Sequence, residues 1–191
     1  MTEKEALKLF DTHNALLEGH FRLSSGLHSG KYLQCARVLQ HPDIAEELGE
    51  AIAAKFKKAR ISVVAGPAMG GIIIAHEVAR ALKARCVFGE REDGNMKLRR
   101  GFDVGPKDRV LVVEDVVTTG GSVKELADYI KGAKAKVVGT ASIIDRSPAG
   151  LDIGYKNECL AKISIETFKP ESCPLCKSRV PITKPGSRKI V

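Results

Sequence analysis

Tryptophan is absent from this 191-residue chain, and tyrosine and phenylalanine number only three and six. So few aromatics leave little for base stacking, and no nucleic-acid-binding motif occurs, so nucleic acid is not expected as a partner. No apolar run is long enough to cross a bilayer as a helix, so no membrane partner is expected either. A Walker-type phosphate loop is excluded, because no G-x-x-x-x-G-K-[ST] string occurs. Internal repeats and low-complexity tracts are also missing. The five cysteines are odd in number, and the first residues, Met1 to Ala6, are too polar and acidic for a signal peptide. A disulfide framework is therefore not expected, and the cytoplasm is the expected compartment.

What is present describes a globular protein. Hydrophobic residues make up 43% and charged residues 28%, and the length suits one domain of ordinary size, residues 1–191. Acids are outnumbered by bases, 23 against 31, for a net charge of +8. An excess of cations without nucleic-acid features suits a small polyanionic ligand.

The run from Val110 to Ser122 organises the chain. Four apolar, mostly β-branched residues read as a strand buried on both faces. Two carboxylates follow, Glu114 and Asp115, then Val116 and Val117, then Thr118, Thr119, Gly120, Gly121 and Ser122. Val123, Leu126, Ala127 and Ile130 then recur at helical spacing. Glycine lets backbone N–H groups converge on one point, and the helix that starts there adds its positive end. That combination is a phosphate cradle. Carboxylates only accept hydrogen bonds, so beside such a cradle they need a donor, and sugar hydroxyls or a metal ion supply one. The element reads as a ribose 5-phosphate site, with the phosphate in the loop and the hydroxyls on the acids.

A second glycine-rich turn, residues 66–71, follows a short strand expected at 61–65 and precedes a helix whose expected inward face is Ile73, Ile74, Val78 and Leu82. A ligand with two phosphate groups needs two such turns. Upstream, Thr2 and Glu5 form a capping box for a helix over 2–14, residues 19–34 suit a small β-element with a tight Ser-Gly bend, and Asp43 with Glu46 can cap a helix after Pro42. Downstream of a strand at 85–89, residues 90–102 carry Arg91, Lys97, Arg99 and Arg100 with little to bury. This segment reads either as a solvated hairpin or as a lid over a diphosphate. A strand over 136–144 ends at Asp145 and Arg146, where a guanidinium fork in the ligand crevice matches a carboxylate. Arg146 could instead pair with Asp145 or Asp152. A last strand is expected at 160–168. Cys173 and Cys176 form half a zinc site, but no second pair or neighbouring histidine completes it in the sequence, although Cys159 could contribute; ordinary structural thiols and no metal-ligating residue are expected.

The string from Val110 to Ser122 resembles the phosphoribosyl-diphosphate signature of type I phosphoribosyltransferases. Residues 19–42, the Cys-Pro-Leu-Cys pair and the run from Lys184 to Arg188 resemble the orotate phosphoribosyltransferase family. The resemblance covers nearly the whole chain. It implies an α/β fold, the type I phosphoribosyltransferase fold: a mostly parallel twisted sheet flanked by helices. A small N-terminal hood, about 1–40 with parts of the tail, would close over a core of about 43–168. It further implies transfer of ribose 5-phosphate from phosphoribosyl diphosphate to orotate in pyrimidine biosynthesis, with Mg²⁺, by a homodimer that shares its basic loop. On that resemblance Asp115 and Lys97 are catalytic. Glu114 to Ser122 and Arg91 bind phosphoribosyl diphosphate, with Arg99 and Arg100 as alternatives to Lys97 on the diphosphate. Thr118 and Arg146 bind orotate, and Tyr32 and Leu33 fall where the family flanks the base. Many members carry lysines where this chain has Ser24 and Gly70. Two competitors share the acid pair: a purine or xanthine phosphoribosyltransferase, and a regulator that senses phosphoribosyl diphosphate and binds nucleic acid.

Overall fold

Successive residues of the central strands are buried in alternation on opposite faces, and this sets the layers. In β3 (Val63–Pro67) and β6 (Arg109–Val117), Val64, Leu111 and Val113 face one side. Val63, Ala65, Val110 and Val112 face the other. A strand buried on both faces requires helices above and below. Helices α1 (Glu3–Thr12), α3 (Pro42–Ala54) and α4 (Gly71–Leu82) supply the first cover, and α5 (Gly121–Gly132) the second. The short α2 (Ala36–Leu39) leads into α3. This arrangement comes from a computed structural model, which describes residues 1–23, 25–147 and 150–185. Ser24 and the last residues of the Lys184–Arg188 run lie outside the described residues.

The main sheet has the order β5-β4-β3-β6-β7-β8, completed by β4 (Arg85–Glu92), β5 (Asn95–Leu98), β7 (Lys136–Asp145) and β8 (Asn157–Lys162). All pairs are parallel except β4–β5, an antiparallel hairpin at one edge. The expected mostly parallel sheet is therefore present, with one more strand than sequence suggested. At the other edge, α1 packs on β8, and the Lys162 amide donates to Glu3 Oε1 at 2.8 Å. No helix among the described residues is long and apolar enough to cross a membrane.

A separate antiparallel hairpin, β1 (Leu16–Arg22) and β2 (His28–Leu33), forms the hood. The tail returns to it. Phe168 bridges His28, Thr183 bridges Phe21, and the Ser29 hydroxyl donates to the Glu166 carbonyl at 2.9 Å. The last short helix, α6 (Pro174–Lys177), sits in this tail.

Several local expectations hold and others shift. Thr2 and Glu5 form the reciprocal capping box of α1. Helix α3 instead starts with Pro42 at its first turn and His41 as a cap without a side-chain bond, so the Asp43–Glu46 cap does not form. Proline's fixed φ and missing N–H suit that position better than a capping acid needs to. In α4 the inward face is Ile74, Ala75, Val78 and Ala79, whereas Ile73 is 45% exposed. Three consecutive isoleucines, 72 to 74, carry no periodicity, so only packing selects among them. The last strand runs 157–162, and residues 163–168 leave the sheet for the hood.

Helices α3 and α4 meet at Gly49, where a built Cβ would lie 2.6 Å from Glu77 Cβ and 2.8 Å from its carbonyl carbon. Backbone cannot retreat as a side chain can. Gly49→Val is expected to destabilise by about 1–3 kcal/mol through overpacking. Calorimetry should show a lower Tm, and an unchanged Tm would contradict the close helix contact.

Candidate active site

Strands β3 and β6 are parallel neighbours, with Val63 opposite Val110 and Ala65 opposite Val112. Their C-terminal ends therefore lie side by side, and so do the turns that follow. A Cβ added at Gly70 would sit 2.7 Å from Asp115 Oδ1 and 2.8 Å from Oδ2. One at Gly71 would sit 2.8 Å from Glu114 Oε1 and 2.9 Å from the Val113 carbonyl. Thus the two glycine-rich turns and the acid pair form one site, and the glycines are what let the backbone of residues 70–71 lie against the carboxylates. The Ala68–Met69 peptide in this turn is cis.

Strand β6 extends through Val117, so Glu114 and Asp115 belong to the strand itself rather than to the turn. The pleat turns adjacent side chains to opposite faces, yet both carboxylates bond locally. Glu114 Oε1 accepts from the Asp115 amide at 3.2 Å, and Asp115 Oδ1 accepts from the Val116 amide at 2.7 Å. Burial pushes the Asp115 carboxyl above the ordinary aspartate range, partly opposed by its bonds to Glu114 and the Val116 N–H. The Cys35 thiol also lies against Asp115, and burial first, then the nearby Asp115 and Glu114 charges, hold that thiol well above its usual range.

Thr118 and Thr119 are exposed at the turn, and Gly120 takes φ 74° as the residue before α5. A side chain at Gly120 would be strained there and would also strike Leu151 and Ile153 at 2.6 Å. The cradle is thus residues 118–120 plus the first turn of α5, which holds Gly121 and Ser122.

Strand β7 pairs with β6 through Val117 and Asp145, and the Arg146 amide donates to the Val117 carbonyl at 2.8 Å. Asp145 is buried and spends its Oδ1 on the Ser147 amide and hydroxyl, at 2.8 and 2.6 Å. No ion pair of Arg146 with Asp145 or Asp152 is found among the described residues. Its Nε is buried with no hydrogen-bond partner there. Burial lowers the guanidinium's pKa, and Tyr32 and Cys35 are the charges it feels next. Tyr32, in turn, has its hydroxyl pushed up by burial and then by Asp115. Tyr32 of the hood hairpin is thus near enough to feel both the Asp115 and the Arg146 charges.

A chain with this sheet, these two turns and this acid pair can be compared with known proteins. The model of the phosphoribosyl transferase domain matches residues 34–169. The orotate phosphoribosyltransferase of Caldicellulosiruptor bescii is 53% identical over 189 residues, 99% of this chain and 100% of that protein. That of Carboxydothermus hydrogenoformans is 55% identical over 184 residues, 95% and 96% of the two chains. This chain belongs to the orotate phosphoribosyltransferase family. Among solved structures, orotate phosphoribosyltransferase from Aeropyrum pernix superposes with a TM-score of 0.68 at 26% identity, covering 82% of this chain and 92% of that one.

The structure brings many of the residues singled out from sequence to one place. Glu114, Asp115, Val116, Val117 and the residues from Thr118 to Ser122 line one strand end and turn, and Arg146 follows the end of the adjacent strand β7. The basic segment is placed differently. Lys97 lies on β5 with its Nζ 2.9 Å from Glu92, Arg91 pairs with Glu125 of α5 at 2.6 Å, Arg99 with Glu92 at 3.1 Å, and Arg100 with Glu90 at 2.7 Å. The segment is a paired hairpin whose cations are neutralised by Glu90 and Glu92 of the same segment and by Glu125 of α5. Cys35 was not foreseen as a neighbour of Asp115. The burial of a lone cysteine gives no sequence signal. The Cys173–Cys176 pair lies apart from this site, in the tail. Two hood histidines, His20 and His28, do complete its surroundings, contrary to expectation.

A half-buried, desolvated carboxylate costs stability when charged. Asp115→Asn is expected to raise the Tm of the unliganded protein while abolishing catalysis. The sign with pH follows from the raised folded pKa. Native Asp115 holds its proton where the unfolded chain has lost it, so wild-type stability falls as pH rises from the ordinary aspartate value of 3.8 through the folded pKa. The gain from Asn should thus be absent at acid pH and complete near neutrality. A stabilisation of about 1 kcal/mol would appear as roughly 2–4 °C in a chain of this length. Thermal melts across pH check this, and a gain that grows on acidification would contradict the sign.

Proposed function

We infer that this chain transfers the ribose 5-phosphate of phosphoribosyl diphosphate to orotate, giving orotidine 5'-phosphate and diphosphate. Family membership supports the reaction class, and one observation carries the choice of base. A guanidinium with a buried, unpartnered Nε stands at the end of β7, facing Tyr32 and one strand away from the acid pair. A desolvated cation with an unused donor calls for an anion, and orotate's carboxylate supplies a planar one. Neutral purines do not.

The geometry supports the following roles. Residues 118–122 hold the 5'-phosphate with backbone N–H groups, hydroxyls and the positive end of α5. Glu114 and Asp115 accept from the ribose 2'- and 3'-hydroxyls. Residues 66–71 offer backbone donors to the diphosphate, and Gly70 leaves no room for a side chain there without displacing Asp115. Orotate's ring nitrogen forms the bond to ribose C1 as the bond to diphosphate breaks. Positive charge that develops on the sugar is stabilised by the two carboxylates beneath it. Thr118 and Arg146 orient the base, and the hood with Tyr32 and Leu33 excludes water. Positioning and electrostatics carry the rate, and no covalent nucleophile takes part.

Members of this family generally use Mg²⁺ with phosphoribosyl diphosphate. The acid pair fits a hard cation, since its donors are all oxygen. Glu114 and Asp115 would help hold it with the sugar hydroxyls, and it would neutralise charge on the departing diphosphate. The basic hairpin with Lys97 and Arg91 completes the site of a neighbouring copy in a homodimer. The whole chain then acts as one phosphoribosyltransferase unit with a hood.

Mg²⁺-dependent loss of orotate absorbance, run against adenine, hypoxanthine and xanthine, tests the assignment. Orotate alone should be consumed. Arg146→Ala removes the charge opposite orotate's carboxylate and should lower kcat/KM for orotate by about 100-fold or more, since breaking a buried charge pair costs about 3–5 kcal/mol. Turnover of a purine, or full activity of that variant, would sink the orotate reading.

The shared hairpin is tested by mixing. Lys97→Ala and Asp115→Asn proteins should each be inactive alone. After subunit exchange they should recover about a quarter of wild-type activity per site, because half of the sites are then in mixed dimers and half of those pair two intact contributions. Absence of recovery in verified mixed dimers would place Lys97 in its own subunit's site.

A further inference from the structure

The hood and the tail meet at four side chains that the transferase reaction does not use. His20 lies on β1 and His28 on β2, with His28 directly opposite Arg22 and His20 two residues before it. The ladder has a bulge between Glu18 and Phe21, where His20 lies, and across it the two imidazoles meet edge to face with ring centroids 5.0 Å apart. Both are buried, at 3% and 7% exposure. Cys173 caps α6 and is fully buried, and Cys176 lies within that helix's single turn. All cysteines are free thiols. One ligand atom from each of the four falls within 4.8 Å of every other.

The distances have a definite chemistry. His20 Nε2 is 3.1 Å from His28 Nδ1 and 3.6 and 3.8 Å from the sulfurs of Cys173 and Cys176. Cys176 Sγ is 3.3 Å from His28 Nδ1. A tetrahedral zinc ion with ordinary bond lengths sets its ligands about 3.3 Å apart for two nitrogens and about 3.6 Å for nitrogen and sulfur. These four separations match such a shell, and the remaining two, from Cys173 to His28 and to Cys176, lie within 4.8 Å. The outer partner is in place as well. His20 Nδ1 is 2.8 Å from the Val180 carbonyl, which fixes the N–H on Nδ1 and leaves the Nε2 lone pair pointing at the cluster. A bond between the two imidazoles uses only one donor and one acceptor, and leaves the buried Cys173 thiol and the more exposed Cys176 thiol turned toward the same ring nitrogens.

We propose that His20, His28, Cys173 and Cys176 form a structural zinc site that staples the C-terminal tail to the hood. Four protein ligands leave no open position, so the ion is structural rather than catalytic. The softness of two thiolates with two imidazoles selects zinc over the magnesium used at the acid pair. The staple joins positions more than 150 residues apart in sequence. It fixes the hairpin whose far end, at Tyr32 and Leu33, covers the base site. Neither the site nor its test depends on which base the enzyme uses.

The full-length protein, expressed with added zinc and freed of loose metal by gel filtration, should contain one zinc per chain by elemental analysis. Cys176→Ser and His20→Gln should each lose it. Co²⁺ added to metal-depleted wild type should give the intense visible bands of a tetrahedral site together with sulfur-to-cobalt charge transfer, a readout that needs no variant. A strong chelator should lower the Tm of wild type and leave that of Cys176→Ser unmoved. A zinc-free wild type with no tetrahedral cobalt spectrum, a Cys173–Cys176 disulfide in the purified protein, or zinc retained at full stoichiometry by Cys176→Ser would each overturn the site.

Discussion

Everything at the active site depends on the parallel pairing of β3 with β6. That ladder sets two glycine turns side by side and presses the backbone of Gly70 and Gly71 against the Asp115 and Glu114 carboxylates. Two negative groups resting on peptide backbone, with N–H donors from residues 115 and 116, are held rigidly yet remain poorly solvated. Their arrangement is costly in the free protein, which is the usual condition of a site prepared for a ligand that brings its own donors. The smallest side chain in place of either glycine would move the acids, so the glycines are structural parts of the carboxylate site.

The same economy of space explains how recognition is divided. On the proposed reading, the core sheet supplies phosphate and sugar contacts from two turns, while the base site is assembled from unlike parts. Arg146 follows β7 directly, and Tyr32 comes from the hood. The hood by itself is a two-stranded hairpin, an element of marginal stability in water. Tail contacts through Phe168, Thr183 and Glu166 extend it, and the histidine–cysteine corner lies where those contacts converge. Hood placement is therefore a property of the tail as much as of the hairpin.

The basic hairpin is balanced internally. Glu90, Glu92 and Glu125 pair with its four cations. These pairs are surface-exposed and individually weak. Charge composition made the segment conspicuous, but composition alone could not separate a solvated hairpin from a lid, and the segment forms an antiparallel hairpin at the sheet edge.

Local chemistry in the sequence determined the parts. Apolar runs fixed the buried strands, helical spacing of Val123, Leu126, Ala127 and Ile130 fixed the inner face of α5, and glycine with threonine fixed the phosphate turn. These signals act over a few residues, which is why they can be read without a structure. Strand order, the docking of Tyr32 beside Asp115, the burial of Arg146 and the meeting of His20 and His28 with Cys173 and Cys176 were decided only by the tertiary structure. Each joins segments far apart in the chain. Their proximity arises from the summed packing of two sheets and a tail, a long-range balance that no single stretch of residues encodes.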